Sequence, residues 1–220
     1  TAGESIVARR VVLATGGQSL PKSGSDGAGY RFATSLGHTL TPTTPALVPL
    51  ILDGGLHAEL SGVTQAAEIT IRVEGEKPLR IAGSLLWTHF GISGPVVLDA
   101  SRHWLRATLE KRPVRVTLSL LPGESFDGAE ARWLAVAGER PKLRVTGLFR
   151  EWAPARVAEA MLREAGVEGD TVLTQCSRDA RRRVLHAVLE RPLPIAGSRG
   201  YNFAEVTAGG VPLREIEPQT

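Results

Sequence analysis

Val11-Val12-Leu13-Ala14-Thr15-Gly16-Gly17, followed by Gly24-Ser25-Asp26-Gly27-Ala28-Gly29-Tyr30, is the stretch whose reading decides the fold. Its first four residues form an apolar run with two β-branched members. That is the length expected of a strand buried on both faces of a parallel sheet. Thr15, Gly16 and Gly17 end the run. Two glycines at the carboxyl end of such a strand let a ligand approach the backbone, because no Cβ intervenes. The second glycine cluster opens a helix expected over residues 27–36. Asp26 can cap its start, and Gly37 stands where a left-handed C-terminal cap belongs. An ordinary strand-to-helix connection, with glycines that only make turns, fits the same letters.

The chain's bulk properties narrow the class. Its 220 residues permit one large domain or two small ones, and 42% hydrophobic against 22% charged residues is an ordinary globular balance. No apolar run is long enough to span a bilayer as a helix, so no membrane partner is expected. Cys176 is the single cysteine, which excludes an internal disulfide and fits a cytoplasmic protein. Ser177 and Arg178 follow it, but a small buried residue near a helix start is the simpler account than a reactive thiol.

The net charge of +3 owes much to Arg178, Arg181, Arg182, Arg183 and Arg191, on a helix whose other face carries Val184, Leu185, Val188 and Leu189. The default account is a solvated face. Aromatic content is only 5%, and Trp87, Trp104, Trp133 and Trp152 are scattered, so no nucleic-acid partner is expected. An RNA-associated barrel using the Arg-rich helix is the rival reading. His38, His57, His89, His103 and His186 lack metal-ligand spacing, so no metal site is expected.

Beyond the opening, Pro42, Pro45 and Pro49 mark an extended crossing. The texture then turns to β. Ile69, Ile71 and Val73 alternate on one face over residues 67–73, Glu74-Gly75-Glu76 is a hairpin turn, and residues 85–90 and 114–120 are further strands. From Pro122 to about Glu190 the period becomes helical. Pro154 stands near one helix start and Gly166 near that helix's end. Residues 201–207 return to extended structure.

Four blocks in register resemble the bacterial FAD-dependent flavoprotein family that includes aminoacetone oxidase and BaiN-type reductases. They are Ala14-Thr15-Gly16-Gly17 through Tyr30, Leu36-Gly37-His38-Thr39 through Leu50, Leu86 through Pro95, and Ala204-Glu205-Val206-Thr207-Ala208-Gly209-Gly210-Val211. Likeness is poorest over residues 121–184. No G-x-G-x-x-G follows a strand anywhere in the chain. The family begins with that fingerprint and ends with a segment closing over the flavin. The chain is therefore expected to be an internal piece, with its amino- and carboxyl-terminal parts as missing partners.

The resemblance implies a mixed α/β and α+β architecture. A partial FAD-binding, Rossmann-like domain (1–47 and 200–220) is interrupted by an inserted antiparallel β-barrel-like unit (48–121 and 191–199) with a small helical insert (122–190). It assigns Ala14, Thr15, Gly16, Gly17, Gly209 and Gly210 to FAD contact. Thr88, His89, Ser93 and Glu205 become substrate-facing candidates. A Thr88-His89-Ser93 hydrolase is set aside, because neither an orienting acid nor an oxyanion hole is visible. The expected activity is that of an FAD-dependent oxidoreductase on a small organic molecule, by amine oxidation or enone reduction, with NAD(P)H as a possible donor. The alternative is a non-catalytic fragment or binding module that retains no flavin.

Overall fold

The computed structural model describes residues 7–217. In chain order its elements are α1 (Ala28–Ser35), β1 (Thr41–Ala46), β2 (Leu50–Leu52), α2 (Leu56–Glu59), β3 (Thr64–Val73), β4 (Leu79–Thr88), β5 (Gly91–Ser93) and α3 (Pro95–Leu109). There follow β6 (Val114–Ser119), α4 (Phe126–Glu139), α5 (Val145–Trp152), α6 (Ala155–Glu164), α7 (Arg178–Leu189), β7 (Arg191–Pro192), β8 (Ile195–Ser198) and β9 (Val206–Gly210). Short 3₁₀ turns occupy Pro21–Ser23, Leu173–Gln175, Tyr201–Phe203 and Leu213–Glu215.

Seven strands form one antiparallel sheet in the order β7-β6-β3-β4-β5-β2-β8. Laid flat, six inter-strand steps of ~4.8 Å would separate its edges by about 29 Å. The two edge strands are nevertheless consecutive in the chain, joined only through Leu193 and Pro194. Three Cα steps reach no further than about 11 Å. The sheet must therefore curl until its edges meet, and the backbone shows it. Leu193 N donates to Val116 O at 3.0 Å on one edge, while Asp53 N, following β2 at the other, donates to Pro194 O at 2.9 Å. The expected hairpin turn holds Gly75 at φ 81°, and the alternation buries Ala67, Ile69 and Ile71.

One expectation for this region needs correction. It was read as strands alone, yet α3 is a fifteen-residue helix. Pro95 sits at the helix start, where its missing donor costs nothing. Val96, Val97, Ala100, Ser101 and Ala107 then recur at helical spacing and are buried. The helix lies across β1, β3 and β4. A Cβ on Gly83 of β4 would lie 3.4 Å from Val96 Cβ, an ordinary contact distance, which places the start of the helix directly over that strand. Ser101 Oγ accepts from Val48 N at 3.2 Å and donates to Leu98 O at 2.7 Å, tying the crossing after β1 to the same helix.

The helical part covers one side of the barrel. Ser125 and Ser177 cap α4 and α7, accepting from Gly128 N at 3.0 Å and Ala180 N at 3.2 Å. Pro154 is the N-cap of α6, and Gly166 ends it with φ 63°. Trp133, Phe149 and Trp152 pack edge to face or tilted at 5.0–6.4 Å between centroids. Val184, Leu185, Val188 and Leu189 of α7 are buried, and Leu120 N donates to Val188 O at 2.7 Å. One hydrophobic core runs without a break from Leu50 of the barrel through the helices to Leu193.

The end segments behave differently. Val11, Val12 and Leu13 do not form the buried strand expected of them: Val11 and Val12 are 84% and 86% exposed, and the run pairs with nothing among the described residues. A central parallel strand needs neighbours on both edges, and the described chain supplies none there. The sequence also reads as extended from Ile6 to Ala14, and Ile6 lies outside the described residues. Residues 201–207 are not continuously extended either. Gly200, at φ 67°, turns the chain into the 3₁₀ turn Tyr201–Phe203 before β9 begins at Val206. Likewise β4 starts at Leu79 and stops at Thr88, leaving His89 and Phe90 as the turn into β5.

Candidate functional site

The two glycine segments, almost 200 residues apart in sequence, meet. β9 pairs antiparallel with β1, with Pro45 opposite Thr207 and Thr41 opposite Gly210 across a bulge. Thr207 Oγ1 then reaches the first segment. It accepts from Gln18 N at 2.8 Å and Ser19 N at 3.1 Å, and lies 3.1 Å from Ser19 Oγ. A Cβ on Gly17 would stand 2.6 Å from Thr207 Oγ1 and 3.2 Å from Tyr30 Oη. A Cβ on Gly210 would meet the same Tyr30 ring at 3.3 Å. Gly17 and Gly210 thus flank one tyrosine.

The rest of the wall follows from local chemistry. Asp26 Oδ1 accepts from Ala28 N at 2.8 Å and holds the start of α1, as its position predicts. At the other end Gly37, at φ 96°, closes the helix: its N–H donates to Thr34 O, and His38 N donates to Ala33 O at 3.1 Å. Gly29 packs against the first segment itself. A Cβ there would fall 1.9 Å from Thr15 Oγ1. Gly27 N donates to Gly17 O at 3.0 Å, which fixes the glycine turn on the helix start. A second chain of hydroxyls continues outward. Tyr201 Oη donates to Thr43 Oγ1 at 2.9 Å, which donates to Gln18 Oε1 at 3.0 Å. Burial, then the neighbouring Tyr201, push the Tyr30 phenol above its usual pKa, against the opposing hydrogen bond with Thr207.

This arrangement fits one wall of a dinucleotide cradle. The amides of Thr15, Gly16 and Gly17 donate to no oxygen among the described residues. Gly16, at φ 70°, is exposed. Free amides on a turn without side chains are what a phosphate or ribityl oxygen requires. Ala14 and Thr15 line the same exposed turn. Gly209 is different: a Cβ there would meet Pro42 O at 2.6 Å, so its first duty is the β1–β9 bulge.

The other candidates divide. His89 is exposed and meets the Phe90 ring edge-on at 5.1 Å, and Phe90 in turn carries the Arg199 guanidinium. Arg199 also lies over Phe203, beside the Leu20–Lys22 stretch that continues the glycine wall. Thr88 Oγ1 is buried without a partner, and Ser93 pairs with Leu86 in the β4–β5 ladder. Neither joins the glycine wall. Gly91 and Gly94 between them are packing positions, with Leu50 O and Ser84 O 2.3 and 2.7 Å from where a Cβ would be. Glu205 is exposed, and its side chain makes no hydrogen bond or ion pair among the described residues. Cys176 is buried, and burial raises its thiol pKa, the opposite of an activated nucleophile. Sequence reasoning did not single out Tyr30, Thr43, Thr207, Tyr201 or Arg199, although Tyr30, Thr43 and Thr207 lie within the blocks of resemblance and Arg199 and Tyr201 flank Gly200.

The fold and site together define a barrel with a helical appendage, joined to a glycine-lined wall. The profile of the HI0933-like protein barrel and H2TH domain family matches residues 44–206, and the chain belongs to that family. It is similar over 99% of its length, at 28% identity, to the 3-dehydro-bile acid delta(4,6)-reductase of Clostridium scindens, covering 53% of that protein. It is also 28% identical over 99% of its length to the ribosomal RNA dihydrouridine synthase of Escherichia coli, covering 52% of it. The Haemophilus influenzae synthase of the same name is 30% identical over 96% of the chain, which covers 50% of it. The chain therefore spans about half the length of the curated relatives it matches. Among the described residues no helix is long and apolar enough to cross a membrane.

Proposed function

We propose that the chain is the barrel-bearing part of an FAD-dependent reductase that saturates a carbon–carbon double bond conjugated with a carbonyl group. The observation that carries this reading is that Gly17 and Gly210, from opposite ends of the chain, flank Tyr30, with Thr207 tied to the first glycine segment. The relatives' names support the reaction class. A 3-dehydro-bile acid delta(4,6)-reductase and a dihydrouridine synthase act on unlike molecules, yet each name describes saturation of an alkene conjugated with a carbonyl. That favours reduction over the amine oxidation the resemblance also allowed.

Bound FAD would supply the hydride, with NAD(P)H as the proposed reductant. The chain's own part is to hold and to exclude. The free amides of Thr15, Gly16 and Gly17 would receive the cofactor's oxygens, and the Thr207 bonds to Gln18 and Ser19 keep that turn in place. Gly210, without a side chain, lets the Tyr30 ring pack beside it. The substrate is a conjugated carbonyl compound, free or as uridine within RNA. The second source rests on the two synthase relatives.

The test uses the full-length protein, purified with FAD present. The flavin band should be retained, should bleach with NAD(P)H, and should return on adding a 3-oxo-4-ene steroid or uridine-containing ribosomal RNA. Protein that stays colourless, or that is reoxidised only by oxygen with aminoacetone as donor, overturns the proposal.

A further inference from the structure

Arg199 is the cation whose surroundings call for a ligand. Its guanidinium carbon lies 3.5 Å from the Phe203 ring centroid and 4.5 Å from that of Phe90. The residue is half-buried. No carboxylate or carbonyl oxygen among the described residues accepts from its side chain. Other half-buried arginines are satisfied: Arg181 by Glu130, Arg191 by Glu164, Arg112 by Glu76 and Arg106 by Pro42 O. Arg182 shares the lack of an acceptor, but it rests on a single ring, Phe126. Two rings pack against the Arg199 guanidinium, and its N–H rim is left without an acceptor among the described residues.

The setting is built rather than incidental. Arg199 N donates to Pro49 O at 3.0 Å, Gly200 N to Ser198 Oγ at 3.3 Å, and Phe203 N to Gly200 O at 3.1 Å, so the backbone is fixed on both sides of the cation. His89 supports the Phe90 ring edge-on. Leu20 N donates to Tyr201 O at 2.9 Å, which brings Lys22 alongside. Leu20, Pro21, Lys22, Asn202 and Phe203 line a cavity of about 320 Å³. Lys22 has no ion-pair partner among the described residues, so a second unpaired cation flanks the Phe203 ring that Arg199 covers. The stretch Gln18–Lys22 is shared with the glycine wall, which puts this cavity next to the proposed cofactor approach.

We propose that Arg199, held against Phe90 and Phe203, and Lys22 form a binding site for an oxyanion carried by the substrate, a carboxylate or a phosphate monoester or diester. A planar guanidinium fork suits either group through paired N–H donors. Lys22 adds a point charge, Asn202 an amide, and the Phe203 ring an apolar wall for the substrate body. The assignment of the ligand as substrate rests on the reductase reading; the oxyanion site itself does not.

The experiment is isothermal titration of the full-length protein, at low salt, with uridine 3′-monophosphate, uridine, cholate and cholate methyl ester as probes. No turnover and no flavin reduction enters the readout, so failure here is separable from failure of the reductase proposal. One of the two charged probes should bind saturably, and its neutral counterpart at least about tenfold more weakly. Arg199→Gln should weaken the charged probe by about tenfold or more, Arg199→Lys by less, and Lys22→Gln by roughly threefold, with the neutral probe unchanged. Preference for the nucleotide assigns a phosphate, preference for cholate a carboxylate. Equal affinity for charged and neutral probes, no saturable binding, or an Arg199→Gln variant that folds and binds like the wild type overturns the site. The circular dichroism spectrum of each variant guards against loss of fold.

Discussion

The barrel-and-helix body and the glycine-lined end unit are held together by different physics. The body buries Trp87, Trp133, Phe149 and Met161 in one continuous apolar core. The end unit buries little. Val11, Val12, Leu36 and Leu213 are exposed, Phe32 and Ile216 about half so, and its two chain segments are joined through Thr207, Tyr201 and Glu215. Apolar burial is strong and non-directional, so the body is stable without depending on any one hydrogen bond. Directional polar contacts hold a geometry at small net gain. A wall that must present bare backbone to a ligand is made the second way.

The largest expected effect tests whether the body is one unit. Trp133 is fully buried against Phe149 and Trp152. Trp133→Ala should cost about 3–5 kcal/mol in urea unfolding. If the core is cooperative, amides of β3 and β6 should lose hydrogen-exchange protection with those of α4. Protection kept in the strands and lost in the helices would divide the body in two.

Thr207→Val comes next and should separate the two regions. It leaves the Gln18 and Ser19 amides without their acceptor, at a local cost of about 1–3 kcal/mol. Exchange at those two amides should accelerate while the α4 and α7 amides stay unchanged. Equal acceleration everywhere would erase the distinction drawn above.

The smallest effect is a pH response confined to the end unit. Glu215 accepts from Thr39 Oγ1, from Thr39 N at 2.9 Å and from His38 Nδ1 at 3.2 Å. The Thr39 side-chain bond, first of these causes, holds the Glu215 carboxyl below its usual pKa. A carboxylate so depressed contributes stability above its unfolded value and loses it as pH falls through the folded one. Protection of the Thr39 amide should therefore decline between about pH 5 and pH 3, and Glu215→Gln should flatten that profile. An unchanged profile in the variant would assign the response to another group.

How much was legible varied with the range of the interaction. The β3–β4 hairpin, the α6 and α7 boundaries, the Asp26 cap and the Gly37 terminator were readable, because each depends on residues within a few positions of one another. The helix α3 was missed although its apolar spacing was present and Pro95 stands at its start. The run Val11–Ala14 was read as a buried strand on composition alone, and burial is not a property of four residues. Among the candidate site residues, Gly17 and Gly210 carry their signal in being glycine. Thr88 and Ser93, singled out by their chemistry, both lie in the β4–β5 ladder.

The sequence by itself determined where strands alternate, where helices begin and end, and which glycines must lack a side chain, since these follow from backbone sterics and the period of apolar residues. Only the tertiary structure decided that the seven-stranded sheet closes, through edge strands joined by Leu193 and Pro194. It alone placed Thr207 against amides 188 and 189 residues away and Arg199 against the ring of Phe90, 109 residues away. The reason is that a hydrogen bond or a stacked cation is specified by position in space, and no local pattern encodes which remote residue will arrive there.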